Sequence, residues 1–188
     1  MHYAFQDRDY LYLIMDYLNG GDLRYHLCKN NKHFPEKETK FFLSSLILSL
    51  EYLYKNQIMH RDIKPENMVL DGNGYLYLTD LGIAKIYNKD KKLIDSSGTP
   101  GYMAPEVISN KDHSYPVDYF AVGVIGYEFM LGKVCILIYN IQRPYSGKTR
   151  KDIKELMFAK EIFIKNHEIP KAWSMESADF INKVRLKH

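Results

Sequence analysis

The segment Met59–Gly82, MHRDIKPENMVLDGNGYLYLTDLG, constrains the fold of this chain more than any other. Its centre, Asp71-Gly72-Asn73-Gly74, has the residues of a tight reversal, because asparagine and glycine tolerate the positive φ that such turns need. Alternating apolar runs flank the turn and read as two short strands, and QIMH (Gln57–His60) reads as another. A hairpin here draws its outer ends together. Those ends carry Asp62, Lys64 and Asn67 on one side and Asp80 on the other. Four polar groups gathered in this way are either an ordinary solvated loop or one site.

The rest of the chain supplies a scaffold. With 188 residues it can bury one sizeable core, and nothing in its composition demands a second domain. YLYLIMDYL (Tyr10–Leu18) reads as a strand that stops at Asn19-Gly20-Gly21. Asp22 is placed to cap a short helix, DLRYHLCKN. Pro35 then opens a longer helix, whose apolar stripe is Phe42, Leu46, Leu50 and Leu53, widened by Phe41, Leu43, Ile47 and Tyr54. Lys85–Gly98 carries NKDKK and no helical stripe, so it is expected to be an irregular connection. Val117–Leu131, Thr149–Glu161 and Ser174–Lys183 complete a mainly helical second half, and the last two open on a hydroxyl residue suited to capping.

Several function classes are disfavoured. A net charge of +3, with the basic residues spread along the chain, does not mark a nucleic-acid binder. Two cysteines, Cys28 and Cys135, lack the spacing of a zinc site or a disulfide framework, and point to a reducing, cytoplasmic setting. Phe120–Ile141 is apolar and long enough to span a bilayer. However, Glu128 and Lys133 lie within it, and a lysine at the bilayer centre costs about 2.5–3.5 kcal/mol. A buried core helix is the expectation.

Magnesium prefers hard oxygen ligands and is held by one or two protein groups plus substrate phosphates. Asn67 and Asp80 fit that requirement, Asp62 remains free to accept a proton, and Lys64 can neutralise phosphate charge. Such a constellation suits phosphoryl transfer.

HRDIKPEN (His60–Asn67), DLG (Asp80–Gly82), GTPGYMAPE (Gly98–Glu106) and DYFAVGVIGYE (Asp118–Glu128), in that order, resemble the catalytic loop, magnesium loop, substrate-docking segment and central helix of eukaryotic protein kinases. The lysine two residues after Asp62 matches the serine/threonine form, and GGDLRYHL and PEKETKFF resemble the AGC group. The resemblance implies an α+β, protein kinase-like fold: residues 1–18 as the end of the small lobe and the hinge, and 19–188 as a mainly helical, incomplete large lobe. It implies Asp62, Lys64, Asn67 and Asp80 as the catalytic set, with magnesium on Asn67 and Asp80. ATP would lie against Asp16, Leu18, Asp22, Glu66, Asn67, Val69 and Asp80.

Arg61, Asp95, Ser96, Ser97 and Thr99 would belong to the activation segment or its contacts. Asp95 stands where many relatives carry a phosphorylated threonine, so a fixed carboxylate would engage Arg61, with Ser96 and Ser97 as adjacent phosphosites or as plain loop. Asp118 would anchor the catalytic loop. His60, Leu81 and Met1 match a stacked apolar column. Asp22, Glu66, Thr99 and Glu128 would face the peptide substrate, its serine or threonine preceded by arginine if the carboxylates are free to pair with it.

Three departures shape the expectation for this polypeptide. No Gly-rich loop, strand lysine or helix glutamate precedes Tyr3, so it is expected to bind ATP weakly and transfer phosphate poorly. Deleting Val134–Gln142 restores a join between Gly-Lys and Arg-Pro-Tyr, and the apolar insert is expected to be a retained intron, which transcript sequencing tests. The chain ends before a clear arginine partner for Glu106, leaving a costly buried carboxylate if that side chain is enclosed. The competing expectations are a non-catalytic, pseudokinase-like binding module and, on chemistry alone, a metal-dependent hydrolase.

Overall fold

The computed structural model describes residues 1–30, 33–132, 149–159 and 163–185. The expected insertion at Val134–Gln142 lies outside them. The fold is α+β. It contains six helices, α1 (Leu23–Lys29), α2 (Glu36–Lys55), α3 (Pro105–Ile108), α4 (Pro116–Leu131), α5 (Arg150–Ala159) and α6 (Met175–Arg185), among the described residues. Six short strands among the described residues pair two by two in antiparallel fashion: β1 (Tyr3–Gln6) with β2 (Leu11–Ile14), β3 (Ile58–Met59) with β6 (Lys85–Ile86), and β4 (Met68–Leu70) with β5 (Leu76–Leu78).

Helix α4 forms the centre. Its apolar residues leave no polar face, as expected of a helix buried all round, and every residue from Phe120 to Met130 is buried. It stops at Gly132, whose left-handed φ of 60° ends the helix. Among the described residues no helix is long and apolar enough to cross a membrane. Helices α2 and α6 pack on α4. Gly126 permits this approach: a Cβ there would meet Ile181 at 2.9 Å and Leu43 at 3.2 Å. The expected stripe on α2 divides accordingly, with Phe42, Leu43, Leu46 and Leu50 buried in the core and Phe41 and Tyr54 exposed. Phe34, just before α2, closes one end against Phe42 and Phe129 at ring-centroid distances of 5.2 and 4.8 Å.

Glu36, in the first turn of α2, accepts hydrogen bonds from the hydroxyls of Ser174 and Ser177 at the start of α6 and pairs with Lys40 at 2.9 Å. The two serines, then Lys40, hold its carboxyl down to about 2. A depressed carboxyl stabilises the fold fully above its ordinary value of 4.5, and that contribution is lost as pH falls toward 2. Glu36→Gln is therefore expected to remove about 1 kcal/mol of the acid-dependent loss of stability, a figure discounted for solvent screening. Denaturant titrations across that pH window check it, and identical pH profiles for the two proteins would show that this carboxylate does not link the helices.

Two expectations from sequence need correction. Lys85–Gly98 is not wholly irregular, because Lys85 and Ile86 pair with Met59 and Ile58. The strand expected over Tyr10–Leu18 is regular only over Leu11–Ile14, where a neighbouring strand supplies its hydrogen-bond partners. Most side chains of this β1–β2 hairpin are exposed.

Candidate active site

The hairpin forms as its sequence dictates. Asp71 Oδ1 accepts the backbone N–H groups of Asn73 and Tyr75, each at 2.9 Å, which closes the turn. The register sets Met68 opposite Leu78, and beyond it Thr79 donates its backbone N–H to the carbonyl of Asn67 at 2.9 Å. Asp80 thus follows directly on the residue bonded to Asn67. Its φ of 65° lies in the left-handed region, a conformation held locally by the Gly82 N–H donating to Asp80 Oδ1 at 3.1 Å.

The loop before β4 presents the other groups. Asp62 is buried, and its Oδ2 accepts from Lys64 Nζ at 2.6 Å. Its Oδ1 accepts from the Thr99 hydroxyl at 2.6 Å, and Lys64 Nζ also lies 3.1 Å from Thr99 Oγ1. Asn67 Nδ2 donates to the backbone carbonyl of Asp62 at 2.9 Å and to its Oδ2 at 3.3 Å. Burial pushes the Asp62 carboxyl up, but the donors Lys64, Thr99 and Asn67 together outweigh it and hold the group below its ordinary value.

Because the amide nitrogen of Asn67 is turned to Asp62, its carbonyl oxygen is left as an acceptor. With the exposed carboxylate of Asp80, it gives two hard oxygen donors at the mouth of the hairpin. That donor set fits a magnesium ion whose other ligands come from water and phosphate. Among the described residues no cluster of three or more His, Cys, Asp and Glu side chains offers an alternative metal site.

Asp118, buried in the first turn of α4, fixes the loop from beneath. Its two oxygens accept the backbone N–H groups of His60 and Arg61, at 2.9 and 2.8 Å. Burial pushes the carboxyl up against these two bonds, which favour its anion. Arg61 is held at a left-handed φ of 69°. His60, fully buried, joins loop to hairpin: one ring nitrogen accepts from Asp62 N–H at 3.3 Å and the other donates to the Thr79 carbonyl at 3.0 Å. Met1 and Leu81 are 76% and 55% exposed, so the expected apolar column does not enclose them.

Arg61 reaches outward to Asp95. Its Nη1 lies 2.7 Å from Asp95 Oδ2, and Lys85 Nζ lies 2.8 Å from the same oxygen. Ser97 donates both its backbone N–H and its hydroxyl to Asp95 Oδ1, at 2.9 and 2.7 Å. Lys85, Arg61 and Ser97 hold the Asp95 carboxyl far below the usual carboxylate range. Ser96 and Ser97 are half-buried beside it.

The segment expected to line a nucleotide runs along the same edge. Residues 20–22 lie antiparallel to β4: Gly20 N–H donates to the Leu70 carbonyl, Leu70 N–H donates to the Gly21 carbonyl, both at 2.9 Å, and Asp22 bridges to Val69. Gly20 is required there, since a Cβ would fall 2.5 Å from the Asp71 carbonyl oxygen. Leu18 is half-buried and Asp16 is exposed, paired with His2 at 2.8 Å.

The expected acidic groove is not open. Arg24 on α1 occupies it: Nε donates to Glu66 Oε1 at 3.0 Å, Nη1 pairs with Glu128, and Nη2 donates to the Tyr102 hydroxyl. Tyr102 in turn donates to Glu128 Oε2 at 2.6 Å. Asp22 caps α1 through Tyr25 N–H at 2.9 Å. Thus all three carboxylates expected to receive substrate arginines already have internal partners. Glu128 is completely buried, and an unpaired charge there would be far more costly than this pairing. Glu106 is only half-buried, so it is not the enclosed carboxylate expected.

Sequence reasoning missed Arg24, Lys85 and Tyr102. The only trace of the first is a basic residue two places after the capping Asp22.

Residues 1–187 match the model of the protein kinase domain. A probable serine/threonine-protein kinase of Dictyostelium discoideum is 38% identical over 188 residues, which is 100% of this chain and 38% of that protein. Serine/threonine-protein kinase 32B of Homo sapiens is 42% identical over 160 residues, 82% of this chain and 36% of that protein. Ribosomal protein S6 kinase alpha-1 of Homo sapiens is 40% identical over 158 residues, 84% of this chain and 20% of that protein. The chain therefore spans 38% or less of the length of these relatives.

Proposed function

This chain belongs to the protein kinase domain family, and on that premise we propose that the protein transfers the γ-phosphoryl group of ATP to serine or threonine hydroxyls of protein substrates. The observation that carries the reading is the Asp62–Lys64–Thr99–Asn67 cluster, set beside Asp80 by the hairpin.

Asp62, kept ionised by its donors, accepts the hydrogen bond of the incoming hydroxyl and orients its oxygen toward the γ-phosphorus. It takes the proton as the new O–P bond forms and the bond from that phosphorus to the β,γ-bridging oxygen breaks, ADP leaving with the bond's electron pair. Lys64 sits beside that carboxylate and supplies positive charge to the transferring phosphoryl oxygens. Thr99 ties the substrate-facing segment to the base. Asn67 Oδ1 and Asp80 would hold magnesium, which supplies charge neutralisation on the phosphates. In this reading residues 1–18 are the end of a small lobe and the hinge, residues 19–188 are large-lobe elements, and ATP lies along Asp16, Leu18, Asp22, Glu66 and Val69. The sparse cysteines favour a cytoplasmic setting.

The test is transfer of label from γ-labelled ATP by the intact protein with magnesium. Label on serine or threonine is expected. Label confined to tyrosine, or no transfer to any protein substrate, would overturn the reading and favour the binding-module alternative.

Asp95 adds a regulatory expectation. A carboxylate already bound by Arg61, Lys85 and Ser97 does the ordering that a phosphate would otherwise do. Because its pKa is depressed, this stabilisation is present above the ordinary carboxylate value and is lost only in strong acid. Phosphatase treatment should leave activity unchanged, whereas Asp95→Ala should lower it about tenfold or more, the scale of one charge-assisted hydrogen bond. Loss of activity on dephosphorylation would instead assign the switch to Ser96 or Ser97.

A further inference from the structure

We infer that Arg24 sets substrate selectivity by filling, from within the chain, the acidic seat that Glu66 and Glu128 would otherwise offer to a basic residue of the substrate. The inference rests on the kinase reading and names a property of that same site. Glu66 lies within the catalytic loop, one residue before Asn67, and Tyr102 lies three residues after Thr99. A charge pair at this place borders the path of a peptide whose hydroxyl reaches Asp62.

All three guanidinium nitrogens are committed. They bind Glu66, Glu128 and Tyr102, which lie 42, 104 and 78 residues away in the chain, and the Arg24 side chain is 15% exposed. Desolvation works against its charge, but Tyr102, Glu128 and Glu66 outweigh that and hold the arginine firmly protonated.

A substrate arginine would have to evict a guanidinium that is tethered beside its partners. The internal group has the advantage of an intramolecular ligand, whose effective concentration is in the millimolar range or above. The incoming one would also lose its own hydration without gaining a free carboxylate. Glu66 keeps one buried oxygen, Oε2, without a hydrogen-bond partner among the described residues. That oxygen is enclosed, so it offers an incoming cation no free seat. The groove is therefore read as selecting against dependence on upstream arginine, the reverse of what the bare carboxylates suggest.

The experiment compares kcat/KM of the intact protein on two peptides that differ only by arginine or glutamine upstream of the serine. The wild-type ratio is expected to stay within about fivefold, the scale of a solvent-exposed ion pair. Arg24→Ala should raise the ratio toward the arginine peptide by about ten- to a hundredfold, the range of a charge-assisted hydrogen bond. Circular dichroism establishes that this variant is folded.

Because Arg24→Ala uncovers the buried Glu128 and can cost the fold, Glu66→Gln provides a second arm at a partly exposed position. It should move the wild-type ratio by less than about twofold, since Glu66 is already taken, whereas a glutamate that received substrate arginine would lose about tenfold. A wild-type preference for arginine of tenfold or more, a folded Arg24→Ala protein with an unmoved ratio, or a tenfold drop in Glu66→Gln would each overturn the assignment. A purely structural Arg24 would change stability and both peptides alike, leaving the ratio fixed. Phosphorylation of neither peptide, nor of any other substrate, would overturn the kinase reading itself.

Discussion

Asp62→Asn should lower the kcat of the intact protein by about 10²–10⁴-fold, the range that general-base catalysis contributes. The substitution keeps the shape of the side chain and removes one acceptor. The Thr99 hydroxyl can still donate to the remaining oxygen. The new amide nitrogen, however, would face Lys64 Nζ and Asn67 Nδ2, both donors, where Oδ2 now accepts at 2.6 and 3.3 Å. An incoming hydroxyl would then lose its proton acceptor while the surrounding loop is retained.

The effect should fall on kcat rather than on the KM for ATP, because Asp62 is assigned to the acceptor hydroxyl. Its lowered pKa adds a second check. The wild type should show no Asp62 protonation limb in kcat above the ordinary carboxylate range, since the group stays ionised there. Steady-state kinetics over pH measure both. Residual kcat within tenfold of wild type would remove Asp62 from the chemistry.

Asp118→Ala should be the single change that most destabilises the loop, which Asp118 holds from the first turn of α4. It strips the acceptors from the buried N–H of His60 and the half-buried N–H of Arg61. An unsatisfied buried donor costs about 1–3 kcal/mol and a half-buried one less, so a loss of about 2–4 kcal/mol is expected. Against a typical total of about 5–15 kcal/mol, such a loss threatens folding at growth temperature. The consequences would also be local. Arg61 is held at positive φ partly through that N–H bond, and its relaxation would release Asp95 and turn Asp62. Asp118→Asn retains one acceptor oxygen and should fall between wild type and alanine. Denaturant midpoints decide the matter: a shift worth less than about 1 kcal/mol would mean that the loop finds other partners.

The legible parts of this molecule are those whose causes lie within a few residues of one another. The Asp71 turn, the Asp22 cap, the helix after Pro35 and the fully apolar α4 all follow from capping, turn chemistry or periodicity, and the structure contains each. The hairpin register also follows, because a slip of one residue would turn its apolar side chains outward. Its consequence, Asn67 next to the strand leading to Asp80, is therefore legible in the sequence. The β3–β6 pair is legible in one half only: QIMH reads as a short strand and contains β3, whereas Lys85–Ile86 carries too few residues for a period and is a strand only because Ile58–Met59 lies beside it.

Sequence alone thus determined the helices other than the short α3, the hairpin, the order of the motifs and, through that order, the family. Tertiary structure alone decided which charge meets which. Arg24 finds Glu66 and Glu128 rather than solvent, and Lys85 and Arg61 converge on Asp95. The physical reason is range. Backbone preference and apolar periodicity act between neighbours along the chain, whereas a desolvated guanidinium takes whatever carboxylate the packed core brings within reach, here one that lies 104 residues away.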